Sequence, residues 1–414
     1  MACNEIFVMP CSSLCGDHRL GIALMPEINY LLFKLYEFSY AGTMCDQQIP
    51  VRLQNALLVD PSVVGQSHIL VNTGIIRLAT TRYSRVTIIA ETTHCEAIKR
   101  YLCREIGDKV DFVTWRHRHE IVGIVQNFLA KKQIDQIIMT NISYRLFLYM
   151  NLFGVRASKN PIFWMFHSHF VDACGRDLRV RVKNFIKWYF LFRLFKNVRF
   201  IVLGERIRIN IENSIGKFFH PDKISVINHP IGISRIPRVE SDVSESLPKS
   251  VRILFMYGWH GLSIKNNILL EEIKKLSSTT CKFKLSVLSN EFKKSNNERS
   301  FSIDYAERLK EISKCDLFLY LPNDSYRLQA SGATMDMLLT NTPMIGLRTE
   351  FGEELAELIG PFGYFFDTQS DLLQFLHSKN YDSVEISQFR ANLTAGYDKI
   401  LAICQAQFDR IIGF

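Results

Sequence analysis

No two of the ten cysteines in this chain are spaced as a CxxC pair: Cys3, Cys11, Cys15, Cys45, Cys95, Cys103, Cys174, Cys281, Cys315 and Cys404 lie scattered. That pattern excludes a zinc ribbon and a thioredoxin-like centre, and it reads as free thiols buried as small apolar side chains in a reducing compartment. Also missing is any apolar run near the roughly 18–20 uncharged residues of a membrane span. The N-terminus shows no basic stretch followed by an apolar one, so a cytoplasmic protein is expected. Repeats and low-complexity tracts are absent as well, which leaves an ordinary globular chain.

What the sequence does have is length and an uneven charge. At 414 residues it exceeds what one core usually serves, and two domains are expected. Residues 1–235 carry 30 Lys and Arg against 18 Asp and Glu, a net of +12, while the remainder carries 20 against 23, a net of −3. A basic half paired with a slightly acidic one implies a phosphate-rich partner for the first.

Residues 1–54 carry no motif and are set aside as an N-terminal extension. From Asn55 the pattern becomes regular, with apolar strands at 56–60, 86–90, 109–114, 136–141, 161–167 and 199–202 and helical stretches at 67–82, 95–106, 121–132 and 144–153 between them. After a polar linker within 236–250, a second series begins, with strands at 251–257, 284–288, 317–321, 344–347 and 364–366 and a terminal helix at 386–411. Continuous apolar strands alternating with helices predict an α/β protein. Two doubly wound Rossmann-like domains are expected, 55–235 and 251–414, facing each other across a cleft at the carboxyl ends of their strands.

The most specific segment runs from Asp324 through Ser331-Gly332 and Asp336 to Pro343-Met344-Ile345. A strand ends, a Ser-Gly pair opens a helix, and an acid follows just over one turn later. Backbone N–H groups at such a helix start suit a diphosphate, Gly332 lets the phosphate approach the backbone, and Asp336 is placed to accept from ribose hydroxyls. The segment resembles the donor-site motif of GT-B glycosyltransferases, a Ser-Gly followed by an acid and a later Pro-Val-Ile. Thr349–Glu354 and Gly360–Tyr364 resemble that family's next loop and strand, which brings Glu354 into the expected donor site. The resemblance implies a nucleotide-sugar-dependent transferase of the group 1-like kind. One departure stands out: counting back eight from Asp336 reaches Leu328, where the retaining branch carries a glutamate. The same spacing also resembles sugar 2-epimerases and glycerophosphotransferases that use CDP-glycerol, so the motif points to the donor class more than to the reaction.

Further candidates surround the expected cleft. Gly258–Lys265 follows the first strand of the second domain, and its His260 and Lys265 are placed to neutralise a leaving diphosphate. His167, in His167-Ser168-His169 at a strand end, is the candidate general base, with Asp60 as its rival; Gly65 and His68 match the glycine-containing loop that this fold runs against the acceptor. His117 and His119 share the alternate spacing of His167 and His169, but they sit among cations in Trp115-Arg116-His117-Arg118-His119. No Asp-x-Asp of metal-dependent transferases is present either, so neither a metal nor a cofactor other than the nucleotide-sugar substrate is expected.

Residues 176–199 place Arg179, Lys183, Lys187, Arg193 and Lys196 at helical spacing among Trp188 and other aromatics. Such a helix suits an anionic membrane surface, and no RRM, KH or helix-turn-helix signature argues for nucleic acid. The resulting expectation is a peripheral, cytoplasmic-face glycosyltransferase. It would pass a sugar from a nucleotide-sugar to a lipid-linked or polysaccharide acceptor in envelope or lipopolysaccharide assembly. The rivals are an epimerase or glycerophosphotransferase on the same fold, and a non-catalytic binding protein that keeps the fold.

Overall fold

The computed structural model describes residues 55–131, 134–141, 161–166, 197–215, 223–236, 250–257, 262–280, 282–288, 304–323, 329–378 and 381–413, with isolated positions at 179, 182 and 186 and the short stretches 293–295 and 298–300. All of them fall in one compact unit, Val51–Phe414, distinct from Met1–Pro50.

The first half alternates β1 (Asn55–Val59), α1 (Ile69–Arg82), β2 (Arg85–Glu91), α2 (Thr92–Tyr101), α3 (Arg104–Gly107), β3 (Val110–Trp115), α4 (Glu120–Ala130), β4 (Gln136–Met139), β5 (Ile162–Phe166), β6 (Val198–Val202), α5 (Glu205–Ile215) and β7 (Ile224–Val226). Its seven strands form one sheet in the order β3-β2-β1-β4-β5-β6-β7, every pair parallel. The central strands are apolar through their middles, as strands covered on both faces must be: Leu57, Leu58, Ile88, Ile89, Phe163 and Trp164 are all buried. One expected helix, 95–106, is two: α2 stops at Leu102, whose extended backbone (ψ 133°) leads into the single turn α3.

The second half contributes β8 (Val251–Met256), α6 (Ile264–Thr279), β9 (Phe283–Leu288), the antiparallel pair β10 (Lys293–Ser295) and β11 (Glu298–Ser300), α7 (Tyr305–Ser313), β12 (Leu317–Tyr320), α8 (Gly332–Thr340), β13 (Met344–Leu347), α9 (Glu350–Ile359), β14 (Gly363–Phe366), α10 (Gln369–Ser378) and α11 (Ser383–Ile412). Its sheet is parallel throughout, in the order β14-β13-β12-β8-β9. In each sheet the winding reverses at one place, between β1 and β4 and between β8 and β12. Ligands of doubly wound sheets bind at the carboxyl ends of such strands.

One long helix joins the halves, and one segment locks the first half internally. α11 runs for 30 residues; it begins against the second sheet, where Ile386 is buried, and ends on α1. There Asp409 pairs with Arg82 at 2.5 Å, Gln405 donates to Thr81 at 2.7 Å, and Cys404 lies 3.2 Å from the carbonyl of Asn228. Residues 251–414 therefore do not all pack with the second sheet. An amphipathic pattern announces a buried face, not the surface it meets. The second feature is the segment after β7, which crosses α1 so closely that a Cβ on Gly232 would lie 2.0 Å from the backbone carbon of Thr73, and one on Gly74 2.7 Å from that of Pro230.

Because the Gly232 contact is backbone against backbone, neither side can yield by a rotamer change. Gly232→Ala is expected to cost about 1–3 kcal/mol, read as a lower urea midpoint at unchanged slope; an unaltered midpoint would show the crossing to be loose.

Candidate functional site

Ser331 caps α8: its backbone is extended (φ −96°, ψ 111°) and its Oγ accepts from the Thr334 N–H at 3.3 Å. A helix start leaves its first N–H groups without intrahelical partners, and the Ser331 hydroxyl satisfies one of them. Ser331 is fully buried, whereas Gly332 is exposed, and a Cβ built on it meets nothing within 4 Å. The helix start therefore opens onto free space beyond β12.

Asp336, expected to face a ribose, is buried at 2 % exposure. Its Oδ1 accepts from the Tyr305 hydroxyl at 2.6 Å and its Oδ2 from the Arg308 guanidinium, both on α7. Burial pushes its carboxyl above the ordinary range, with the Arg308 charge opposing. In this arrangement the carboxylate fastens α8 to α7 and is not turned to a ligand. Glu354 is likewise spent: its two oxygens accept the Glu205 and Arg206 N–H groups at 2.7 and 2.9 Å, capping α5 of the other sheet. Gly204, at φ 148°, gives it room, since a Cβ there would sit 3.1 Å from Glu354 Oε2. Burial raises the Glu354 pKa and the two N–H donors lower it. Lys265 is exposed in the first turn of α6. Its neighbour Asn266, unremarked in the sequence, is buried and donates to the Pro322 carbonyl at 2.8 Å, while Ser263 N–H donates to Asn323 Oδ1 at 3.0 Å. These bonds tie the start of α6 to the exit of β12.

On the other side, Asp60 ends β1 next to the reversal point and is buried. Oδ1 accepts from Ser62 and Val63 N–H at 3.1 and 3.0 Å, and Oδ2 from Asn72 Nδ2 and Thr140 Oγ1 at 2.6 and 3.1 Å. Four donors saturate this carboxylate, so it shapes the loop after β1 and has no lone pair turned to an acceptor hydroxyl. The same Asn72 amide meets His94 Nε2 at 2.7 Å, while His94 Nδ1 holds the Gly65 carbonyl at 2.6 Å. Gly65 has φ 62°, its N–H donates to Thr93 Oγ1 at 3.0 Å, and the space where a Cβ would project is open. His94 is the residue that sequence reasoning missed here; lying on an apolar helix face, it carried no visible signal.

This loop is clasped to the second half. Gln66 Nε2 donates to Asp304 Oδ2 at 2.6 Å, and Gln66 Oε1 accepts the Tyr305 N–H. Arg100 pairs with Asp304 at 2.8 Å, and Tyr101 donates to Asp304 Oδ1 at 3.2 Å and accepts from Ala306 N–H at 2.9 Å. Tyr305 then reaches Asp336, so one hydrogen-bonded path runs from the Gly65 loop to α8.

His68, the exposed residue before α1, adopts φ 55° without capping the helix. Its charge and, above all, burial lower the pKa of His229 to about 4; the ring of His229 lies 3.2 Å from the Pro230 carbonyl. Among the proposed membrane-facing residues only Arg179 is described, and it is helical and exposed. His167, His260, Lys183, Lys187, Trp188, Arg193 and Lys196 lie outside the described residues. Among the described residues, no helix is long and apolar enough to cross a membrane, and no three His, Cys, Asp or Glu side chains are grouped to hold a metal ion.

No protein-family description and no curated sequence matches the chain. Solved structures do. A glycosyltransferase from Rickettsia africae ESF-5 is 10 % identical, with a TM-score of 0.53, over 87 % of this chain and 99 % of that one. An O-GlcNAc transferase mutant from Thermobaculum terrenum is 10 % identical, with a TM-score of 0.51, over 87 % of this chain and 66 % of that one. The chain therefore has the two-domain fold of the GT-B glycosyltransferases, as its sequence implied.

Two outcomes test the geometry of the site. Asp336→Asn leaves the half-buried Arg308 without its carboxylate and is expected to cost about 3 kcal/mol or more in denaturant; a loss below about 0.5 kcal/mol would show that the pair does not fasten α7 to α8. The second follows from His229, held near 4 in the fold against an ordinary 6.5. Between those values the unfolded chain takes up a proton that the folded chain refuses, so stability falls as pH drops through the window. The slope from this group approaches about 1.4 kcal/mol per pH unit. His229→Gln is expected to flatten the profile there, and an identical profile in both proteins would remove His229 from the account.

Proposed function

We propose that the protein is a glycosyltransferase that holds a nucleotide-sugar at the start of α8 and passes the sugar to a hydroxyl of a lipid-linked or polysaccharide acceptor. The observation that carries this reading is the open helix start at Ser331-Gly332 beyond β12 at the reversal of the second sheet, with the Gly65 loop clasped to the neighbouring α7. Backbone N–H groups and the helix dipole there favour a diphosphate in both the bound donor and the departing nucleotide. Lys265 and His260 are the candidates for the remaining neutralisation. With Asp60 saturated by internal donors, His167 is the preferred general base for the acceptor hydroxyl. Apposition of the two sheets would exclude water from the donor.

Contact with a membrane, and with it a role at the cytoplasmic face in envelope glycan synthesis, draws its support from the basic aromatic stretch. In it Arg179, Val182 and Ile186 are helical and exposed, the two apolar side chains at 46 % and 43 %.

Thermal unfolding with UDP-, GDP-, CDP- and ADP-linked sugars tests the donor site, using wild type and Gly332→Ala. The added Cβ meets no protein atom, so the variant is expected to match or exceed wild-type stability. One nucleotide class should raise the wild-type midpoint, by an amount corresponding to about 2.7 kcal/mol at a hundredfold excess over Kd, and the variant should lose most of that shift. No shift with any class in folded protein would overturn the reading. With the base known, product analysis on membrane fractions separates transfer to an acceptor from epimerisation.

A further inference from the structure

Arg116, His117, Arg118 and His119 form the turn between β3 and α4, and all four side chains are exposed. Every strand of the first sheet is parallel, so this turn leaves the same sheet edge as the Asp60–His68 loop. Two strand spacings, about 10 Å, separate β3 from β1. The turn is also anchored to that loop, because Trp115 is buried and its Nε1 donates to the Asp60 carbonyl at 3.1 Å.

The turn carries one acid of its own, Glu120, whose carboxylate also lies near the two imidazoles. Glu120 accepts the Arg116 N–H at 3.1 Å, and that bond holds its carboxyl below the usual range, with burial opposing and the His117 N–H assisting. Glu120 N–H and Ile121 N–H donate to the His117 and Arg118 carbonyls at 2.9 and 3.4 Å, closing the turn from below. The two imidazoles stack at 5.6 Å with 4° between their planes. Elsewhere on this half, Arg82, Arg85 and Arg100 each hold a carboxylate. Among the described residues, no carboxylate pairs with Arg116 or Arg118. Two guanidinium groups that hold no carboxylate sit together on one ordered turn and repel one another, and a dianion relieves that repulsion.

We infer that this turn is an acceptor-side subsite for a phosphate monoester. It rests on the glycosyltransferase reading for its purpose, since it would grip a phosphate on the acceptor about 10 Å to one side of the β1 loop. Planar guanidinium forks match phosphate oxygens in pairs, and a monoester carries close to two negative charges at neutral pH. A single turn fits one such group, which is too small a footprint for a nucleic-acid backbone.

The test is calorimetric titration of the full chain with glucose 6-phosphate, and with glucose as the uncharged control, at low ionic strength. Wild type is expected to bind the phosphate and not glucose, with an affinity that falls as salt rises. Arg116→Gln/Arg118→Gln is expected to weaken binding by about tenfold or more, while a nucleotide-sugar that stabilises wild type stabilises this variant equally. Phosphate binding lost in the variant, with or without a nucleotide response, upholds the subsite; that response alone judges the donor site. Equal binding by both proteins, or none by wild type, overturns the subsite. So does a variant that loses flotation with phosphatidylglycerol vesicles when wild type ignores glucose 6-phosphate, since the turn would then be a membrane contact.

Discussion

Asp304 is the point at which the two sheets are held together over the cleft. It begins α7 by capping Ala306 N–H at 2.9 Å, yet it also takes Gln66, Arg100 and Tyr101 from the first half. One carboxylate thus satisfies a helix start, which any fold must do, and fixes the loop after β1, which only this pairing of domains requires. Tyr305, the next residue, extends the linkage to Asp336 on α8. α8 and the Gly65 loop are therefore both tied to α7. An interface of hydrogen bonds and an exposed ion pair holds less firmly than an apolar one.

The opposite end of the interface obeys the same rule with different residues. Glu354 caps α5 across the boundary, Arg206 pairs with Glu357 at 2.5 Å, and Asn210 donates to Glu350. Together with α11, which returns to α1, these contacts leave the sheets sharing a continuous buried core that contains Leu57 and Met335 alike. Among the described residues, the halves are joined by apolar packing that includes α11 and by the polar contacts of Asp304 and Glu354. Of these, the apolar packing is the larger and less directional term.

The layout was legible in the sequence because parallel strands covered on both faces leave unbroken apolar runs, such as Ala56–Val59 and Leu317–Tyr320, that nothing else explains. The helix cap at Ser331 was legible for the same local reason: a Ser-Gly pair before a helical stretch has a mechanism that acts within four residues. The partners of the acids were not. Asp60, Asp336 and Glu354 each lie where a ligand-binding acid belongs; beyond the two local N–H groups on Asp60, their donors lie 12 and 80, 28 and 31, and 148 and 149 positions away. Sequence fixes that an acid sits at a strand or helix end; only the packed chain decides whether a backbone N–H reaches it before a ligand can. His94 failed in the opposite direction, as a side chain whose importance comes entirely from the Gly65 carbonyl and the Asn72 amide on either side of it.

That consumption of acids bears on how charge is distributed around the cleft. A buried carboxylate stays ionised only when donors surround it, and donors so used present no net negative charge to the cleft. Asp60, Asp336 and Glu354 are all turned inward, whereas Gly332 at its helix start, Lys265 and the turn Arg116–His119 are exposed. All three favour anions. Folding thus buries these three acids and leaves those cations exposed, which biases the local field toward anions.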